Sequence, residues 1–317
     1  MSVIICTLDI TGEQAELIRR TAPSHELLYG RDRAKWIDRI EEAEIVIGWS
    51  RLFEERCLGE HTRLRWVQSW SAGVDNFPLQ LMEKRGIYLT TTSGIHAYPI
   101  SESILAMMLA LTRKLHIHLR NQAANRWVRI EPTAELHGKT VGIVGVGAIG
   151  EETARICKAF GMRVLGMRAS GAPSPYVDHM VDASGLPYVL AESDVCVVTL
   201  PLTPQTRKMF GRREFAMMKP SALFINVGRG GVVDERALIE ALQEGIIAGA
   251  ALDVFEQEPL PEDSPLWQME QVIITPHISG ASDKYDERAF EIAMSNLQHY
   301  VETGRPAVNV VDYAKQY

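Results

Sequence analysis

The sequence predicts an α/β protein built from two doubly wound parallel-sheet units, one inserted into the other. Three observations predict it. Short apolar, β-branched runs alternate with helical patterns along nearly the whole chain. A glycine-rich turn, Gly145-Val-Gly147-Ala-Ile-Gly150, sits near the middle rather than at the start. A terminal helical pattern, 283–303, follows the last strand of the second unit and would return the chain to the first, leaving a cleft between the two.

The elements follow in order. Runs at 3–6, 45–49, 66–69 and 87–89 read as strands of the first unit. Patterns at 12–20, 34–42 and 77–84 read as its helices. After Pro99 comes the longest helical pattern, 101–125, apolar at 104, 105, 108, 109, 111 and 115. The second unit reads as strands at 141–144, 163–167, 195–199, 222–226, 248–252 and 272–275. Its helices are 148–160 and 235–244, with shorter pieces between. The expected division is 1–99 plus 284–317 for one unit and 100–283 for the insertion. A length of 317 residues suits two domains.

Composition narrows the function classes. The formal net charge is -7 and basic residues form no long run, so nucleic acid and anionic membranes are poor partners. The cluster at 31–35 mixes signs and reads as solvated surface. The apolar run 104–111 is far too short to span a bilayer. The N-terminus lacks a basic region and a signal-peptide core, and reads as a first strand. Cys6, Cys57, Cys157 and Cys196 show neither a Cys-x-x-Cys pair nor zinc spacing. Three of them sit in apolar patterns as buried thiols, which fits a reducing cytoplasm. His116 and His118, two apart, would not share a helix face, and no metal is expected.

The glycine turn carries the first chemistry. It stands between a predicted strand and a predicted helix, as a dinucleotide pyrophosphate site requires. Gly145 permits the turn, Gly147 lets the backbone approach the phosphates, and Gly150 lets helix and strand pack closely. The N–H groups at Ala148 and Ile149, with the helix dipole, favour an anion. The bare six-residue glycine pattern carries little without that setting.

Three further segments follow predicted strands, where ligands of open α/β sheets bind. They are Asn226-Val-Gly-Arg229-Gly-Gly, Asp253-Val-Phe-Glu256-Gln-Glu258-Pro, and Thr275-Pro-His277-Ile-Ser-Gly280. Taken singly, Arg229 fits a surface ion pair, Glu256 or Glu258 a solvated turn, and His277 a loop histidine. Their joint order and spacing behind a glycine turn resemble the D-2-hydroxyacid dehydrogenase family, over nearly the whole chain.

That resemblance implies a Rossmann dinucleotide-binding domain inserted into a flavodoxin-like substrate domain. It implies an oxidoreductase that reduces a small 2-keto acid to the D-2-hydroxy acid, with glyoxylate or hydroxypyruvate the first expectation. Such a reduction needs a hydride at the carbonyl carbon and a proton at its oxygen. A histidine can donate the proton near neutral pH, and a hydrogen-bonded carboxylate fixes its tautomer. Arginine can pair with the substrate carboxylate and polarise the carbonyl. By resemblance His277 is the acid–base, Glu258 its partner through the family's Glu-Pro step, and Arg229 the substrate-binding cation. Ser71-Ala72-Gly73-Val74-Asp75 resembles the family loop whose N–H groups hold the substrate carboxylate, so Ala72, Gly73 and Val74 are substrate-binding candidates. Trp49, Arg51, Tyr98 and Trp127 are candidate pocket residues, although packing explains the tryptophans equally well.

The cofactor expectation rests on one position. The second strand of this domain usually ends in an acid that binds the ribose 2′-hydroxyl. Eighteen residues on from Gly150 stands Arg168, with Ser170 two further. An arginine could pair with a 2′-phosphate, whereas a carboxylate would repel it. NADP(H) is therefore expected over NAD(H), which remains the alternative. From the family match, Pro201 and Thr206 are expected on the adenine and phosphate side. Val227 and Asp253 are expected near the nicotinamide, and Gly280 also falls among the cofactor-binding positions.

Other readings share the scaffold. A formate dehydrogenase would carry glutamine at Glu258, and a phosphite dehydrogenase lysine at Ala72. A dinucleotide-sensing protein of the co-repressor kind also keeps the triad, and a D-3-phosphoglycerate dehydrogenase-like enzyme is a further alternative. The region from Ser101 through Trp127 resembles the family's dimer-forming segment, so a two-fold homodimer is expected.

Overall fold

The computed structural model describes residues 2–74 and 76–314. Asp75, at the end of the 71–75 loop, lies outside the described residues. Contacts divide the chain into two compact units, Met1–Ile95 with Asp283–Tyr317, and His96–Ser282.

The first unit runs β1 (Ser2–Cys6), α1 (Gly12–Thr21), β2 (His25–Tyr29), β3 (Ala43–Ile47), α2 (Arg51–Cys57), β4 (Trp66–Gln68), α3 (Leu79–Lys84) and β5 (Tyr88–Thr90). Its five parallel strands lie in the order β2-β1-β3-β4-β5, the flavodoxin-like arrangement. Helix α1 opens with a reciprocal capping box between Thr11 and Gln14.

The second unit runs α4 (Ala97–Thr112), α5 (Leu115–Ala123), β6 (Thr140–Val144), α6 (Ala148–Ala159), β7 (Arg163–Met167), β8 (His179–Val181), α7 (Leu186–Glu192), β9 (Val195–Val198), α8 (Arg212–Phe215), β10 (Leu223–Asn226), α9 (Glu235–Gln243), β11 (Gly249–Leu252) and β12 (Val272–Ile274). Helix α10 (Tyr285–Thr303) belongs to the first unit. Seven parallel strands lie in the order β12-β11-β10-β9-β6-β7-β8, a Rossmann sheet whose order reverses between β6 and β9.

Each sheet is covered on both faces by its own pair of apolar clusters. Every residue of β9, β10 and β11 is buried, which explains why they read as continuous apolar runs. The four cysteines are buried thiols, and burial pushes them up, to about 11 for Cys6 and Cys57 and about 12 for Cys157 and Cys196. Among the described residues no helix is long and apolar enough to cross a membrane.

Several expectations need correction. The single helix at 101–125 is two, α4 and α5, because Lys114 takes a left-handed conformation at φ 56°. Pro99 does not precede α4 but lies in its first turn, where its missing N–H costs no bond. The helix at 34–42 is two 3-10 turns, Arg33–Lys35 and Ile37–Glu42. Edge strands β2 and β8, and helix α2, are further elements that the sequence pattern does not mark. The exposed stretch 31–35 is solvated as expected.

Candidate active site

In parallel sheets all carboxyl ends share one edge, and the loops beyond it in the second unit carry the expected residues. The first is the glycine turn after β6. Gly145 has φ 111°, and a Cβ there would meet Thr199 Oγ1 at 2.9 Å and Leu200 N at 3.0 Å. Gly145 and Val146 both donate to the carbonyl of Met167 at 2.9 Å, which fixes the turn to the end of β7. Gly147 is exposed, and a Cβ on it would meet nothing within 4 Å. The exposed Ala148 and half-buried Ile149 open α6, where first-turn N–H groups lack helical partners. This open, donor-rich helix start fits a dinucleotide pyrophosphate.

Beyond β7, Arg168 is half-buried. Its Nε donates to the carbonyl of Ala172 at 2.7 Å and its Nη2 to that of Pro173 at 2.8 Å. The loop thereby holds the guanidinium in one pose. Ser170 is exposed, and its Oγ accepts from the Ala172 N–H at 3.3 Å, which leaves its own proton to donate. Beyond β9, Pro201 is exposed while Thr206 is buried. The Thr206 hydroxyl donates to the carbonyl of Pro201 at 2.7 Å and accepts from Thr203 N–H at the same distance. It closes its own loop.

Beyond β10, the buried Asn226 shapes the Arg229 turn. Its Oδ1 accepts from Gly228 N–H at 3.1 Å and its Nδ2 donates to the Arg229 carbonyl at 3.2 Å. Arg229 is half-buried, with Nη1 donating to the Gly228 carbonyl at 2.9 Å. Val227 is buried at the strand end. Gly230 then packs backbone to backbone against the next loop. A Cβ there would lie 1.9 Å from both carbonyl atoms of Phe255. Only glycine lets the Arg229 turn touch the loop that carries Glu258.

The two acidic residues of that loop separate cleanly. Glu256 pairs with Lys208 at 3.2 Å and accepts from Glu235 N–H at 3.4 Å. Glu258 points to His277: Oε2 lies 2.7 Å from Nδ1, while Oε1 accepts from Phe255 N–H at 3.0 Å. A carboxylate only accepts, so Nδ1 carries the proton and donates it. The imidazole is about half exposed, at 48% for the side chain, so Nε2 belongs to an open part of the site.

His277 has φ 51°, a left-handed conformation costing about 1–3 kcal/mol. Asp253, 2% exposed, offsets that cost. Its carboxylate accepts from Ile278 N–H and Ser279 N–H at 3.0 Å and from the Thr275 hydroxyl at 2.5 Å. Its carbonyl accepts from His277 N–H at 2.8 Å. Hydrogen bonds to a charged group contribute about 1.5–3 kcal/mol each, enough to hold the strained turn. Gly280 closes the turn against His96, whose ring Cδ2 would be 2.8 Å from a Cβ there. Burial, then the charge of Arg229, push His96 below its ordinary value.

The loop after β4 belongs to the first unit. Ser69 Oγ accepts from Ser71 N–H at 3.0 Å, and Ser71 Oγ donates to the Gly73 carbonyl at 3.0 Å. Among the described residues, no protein acceptor meets the N–H groups of Ala72, Gly73 and Val74. Trp49 stacks on Phe53 and packs on Phe77, a core role. Arg51 pairs loosely with Glu55 at 3.7 Å on the surface. Tyr98 is 53% exposed and Trp127 98% exposed. Among the described residues no His, Cys, Asp and Glu cluster could hold a metal.

Asn226 and Asp253 shape their loops through side-chain hydrogen bonds, a task the apolar sequence pattern does not assign to either. An Asn at a strand end with Gly two residues on signals the turn of Asn226. His96 carried no signal, because its neighbours lie far along the chain.

A Rossmann sheet with a phosphate-ready turn and an Arg, His and Glu on adjacent loops defines a dinucleotide-dependent oxidoreductase. Residues 105–279 match the sequence model described as D-isomer specific 2-hydroxyacid dehydrogenase, NAD binding domain. A glyoxylate reductase of Korarchaeum cryptofilum is 38% identical over 240 residues, 74% of this chain and 72% of that protein. Glyoxylate/hydroxypyruvate reductase B of Yersinia pestis is 35% identical over 283 residues, 87% of this chain and 86% of its own. The structure of an NADPH-dependent glyoxylate/hydroxypyruvate reductase from Sinorhizobium meliloti, in complex with NADP and sulfate, aligns at a TM-score of 0.81 with 30% identity, covering all of both chains. The chain belongs to the D-isomer specific 2-hydroxyacid dehydrogenase family.

Proposed function

We propose that this protein reduces a small 2-keto acid, glyoxylate or hydroxypyruvate in the first instance, to the D-2-hydroxy acid with a nicotinamide dinucleotide. The observation that carries the reading is the 2.7 Å contact between Glu258 and His277, on the two loops that succeed that of Arg229 along the sheet. The nicotinamide supplies the hydride when bound. The protein's own residues manage charge and protons. His277, its Nδ1 proton directed to Glu258, gives a proton from Nε2 to the carbonyl oxygen. Glu258 stabilises the imidazolium and fixes the ring. Arg229 pairs with the substrate carboxylate and polarises the carbonyl, and the N–H groups of Ala72, Gly73 and Val74 receive that carboxylate.

For the cofactor, NADP(H) is the preferred form and NAD(H) the alternative. The pinned guanidinium of Arg168 and the free hydroxyl proton of Ser170 suit a 2′-phosphate, and the Sinorhizobium relative was solved with NADP. Gly145, Gly147, Ala148, Ile149 and Gly150 form the pyrophosphate turn. Pro201, Thr206, Val227, Asp253 and Gly280 complete the pocket, with Thr206 and Asp253 acting by shaping their loops. The protein acts as a homodimer, supported by the exposed apolar residues Leu115, Leu119, Trp127 and Val128. A cytoplasmic location suits its four buried, unpaired thiols.

The test is NADPH oxidation at 340 nm with a panel of glyoxylate, hydroxypyruvate, pyruvate and 3-phosphohydroxypyruvate. Turnover with the first two is expected. Tight NADPH binding without turnover of any keto acid overturns the reading.

A further inference from the structure

The loop proposed to take the substrate carboxylate is poor material for a rigid donor site. Ser69, Ser71, Ala72 and Gly73 are small, and ordering each of them costs backbone entropy. Among the described residues, its internal hydrogen bonds run between near neighbours, Ser69 with Ser71 and Ser71 with Gly73. Donors that must meet a carboxylate without further ordering need outside support.

That support comes from α10, far along the chain. The Tyr285 hydroxyl donates to the Trp70 carbonyl. The Trp70 indole N–H donates to Asp286 Oδ1 at 2.9 Å. Both the backbone and the side chain of Trp70 are thus held by the first turn of one helix. Trp70 also packs on the apolar cluster that includes Leu297, Phe290 and Met294 of α10. About three turns further, the fully buried Asn296 donates to Gln68 Oε1 at 3.0 Å, and Gln68 Nε2 donates to the Ser69 carbonyl at 2.9 Å. On the far side, Thr92 N–H donates to the Ser71 carbonyl at 3.1 Å. The loop is tied at Ser69, Trp70 and Ser71, directly before the donors at Ala72–Val74.

We propose that Tyr285 and Asp286 are positioning residues for substrate binding, acting through Trp70 to hold the N–H groups of Ala72, Gly73 and Val74 in register for a carboxylate. The proposal rests on the reading that this loop receives the substrate carboxylate. Neither residue touches the reacting atoms. Their loss removes binding shared by ground and transition state, which raises KM and spares kcat.

The variants are Tyr285→Phe, Asp286→Ala, Asp286→Asn and Trp70→Phe, with the double variant W70F/D286A. Steady-state kinetics with glyoxylate and NADPH, with thermal melts as a check on folding, provide the readout. Loss of one of these hydrogen bonds should raise the glyoxylate KM at least about fivefold to tenfold, with kcat within about twofold and the NADPH KM unchanged. Asp286→Asn should restore near wild-type KM, because its amide oxygen still accepts the indole N–H. W70F/D286A should be no worse than either single variant, since both remove one bond. A lowered melting temperature with no change in the glyoxylate KM overturns the proposal, as does additivity in the double variant. The underlying reading is tested separately in wild type with NADP+ by titrating oxamate and following the amide resonances of Ala72 and Gly73. Unmoved resonances overturn the carboxylate reading itself. Shifted resonances with an unchanged oxamate Kd in Asp286→Ala and Tyr285→Phe overturn the clamp alone.

Discussion

One carboxyl group, that of Glu258, accepts from Nδ1 of His277 at 2.7 Å with one oxygen and from the N–H of Phe255 at 3.0 Å with the other. It is therefore fixed before it meets the imidazole. His277→Ala should lower kcat by about 10²–10⁴, the usual worth of a general acid, while the Kd for NADPH stays the same. Glu258→Gln keeps the shape and loses the charge that stabilises the imidazolium. It should lower kcat at least about tenfold with little change in melting temperature. Wild-type turnover in either variant would remove that residue from the mechanism.

Arg168 offers a selectivity test. Two loop carbonyls hold its guanidinium in place, so Arg168→Asp both deletes a cation and places an anion at the end of β7. The ratio of kcat/KM for NADPH over NADH should fall by at least about 10²-fold, since charge-assisted bonds to phosphate are roughly twice as strong as neutral ones and repulsion adds to their loss. A wild type that prefers NADH would overturn the NADP(H) proposal.

Two glycines separate ligand space from packing space. Gly147→Ala adds a methyl group where the protein has nothing within 4 Å. Its melting temperature should be unchanged, while the KM for cofactor should rise at least about tenfold because the methyl occupies the approach to the phosphates. Gly230→Ala places a methyl 1.9 Å from the Phe255 carbonyl. The two loops must part, so stability should fall by at least about 1–3 kcal/mol and turnover with it. Equal effects of the two substitutions on melting temperature would contradict this division.

What the sequence revealed follows from burial. The central strands β6, β9, β10 and β11 are covered on both faces, so their apolar runs were plain, and the loops after them could be located within a residue or two. Edge strands were not plain. β2 reads His-Glu-Leu-Leu-Tyr with one buried residue, and β8 has three residues and none buried. The break between α4 and α5 was hidden because the apolar spacing continues across Lys114, whose left-handed φ has no signature in a lysine. In the site, residue types with distinctive chemistry were legible. Supporting residues were not: Asp253 gathers Thr275, Ile278 and Ser279, and Trp70 meets Asp286 from across the sequence, contacts no local pattern encodes.

The junction of β3 with α10 gives a prediction in pH. The Tyr300 hydroxyl donates to Glu44 Oε1 at 3.0 Å, and His25 Nε2 lies 3.6 Å from Glu44 Oε2. Burial alone would raise the Glu44 carboxyl, but hydrogen bonds from Ser2 and Tyr300, together with the nearby His25, outweigh it and hold the group below its ordinary value of 4.5. A carboxyl depressed in the folded state stabilises the fold above its unfolded value, and that stability is lost as pH falls through the folded value. Tyr300→Phe should cost about 1 kcal/mol at neutral pH, the net worth of one hydrogen bond. Glu44→Gln should cost more, because the ion-dipole and charge contacts go together. The gap in melting temperature between wild type and Glu44→Gln should be full well above the ordinary value of 4.5 and narrow as pH falls below it through the lowered folded value, where the wild-type carboxyl itself takes up a proton. Melts across that range decide the matter: a gap independent of pH would mean that Glu44 acts only by packing.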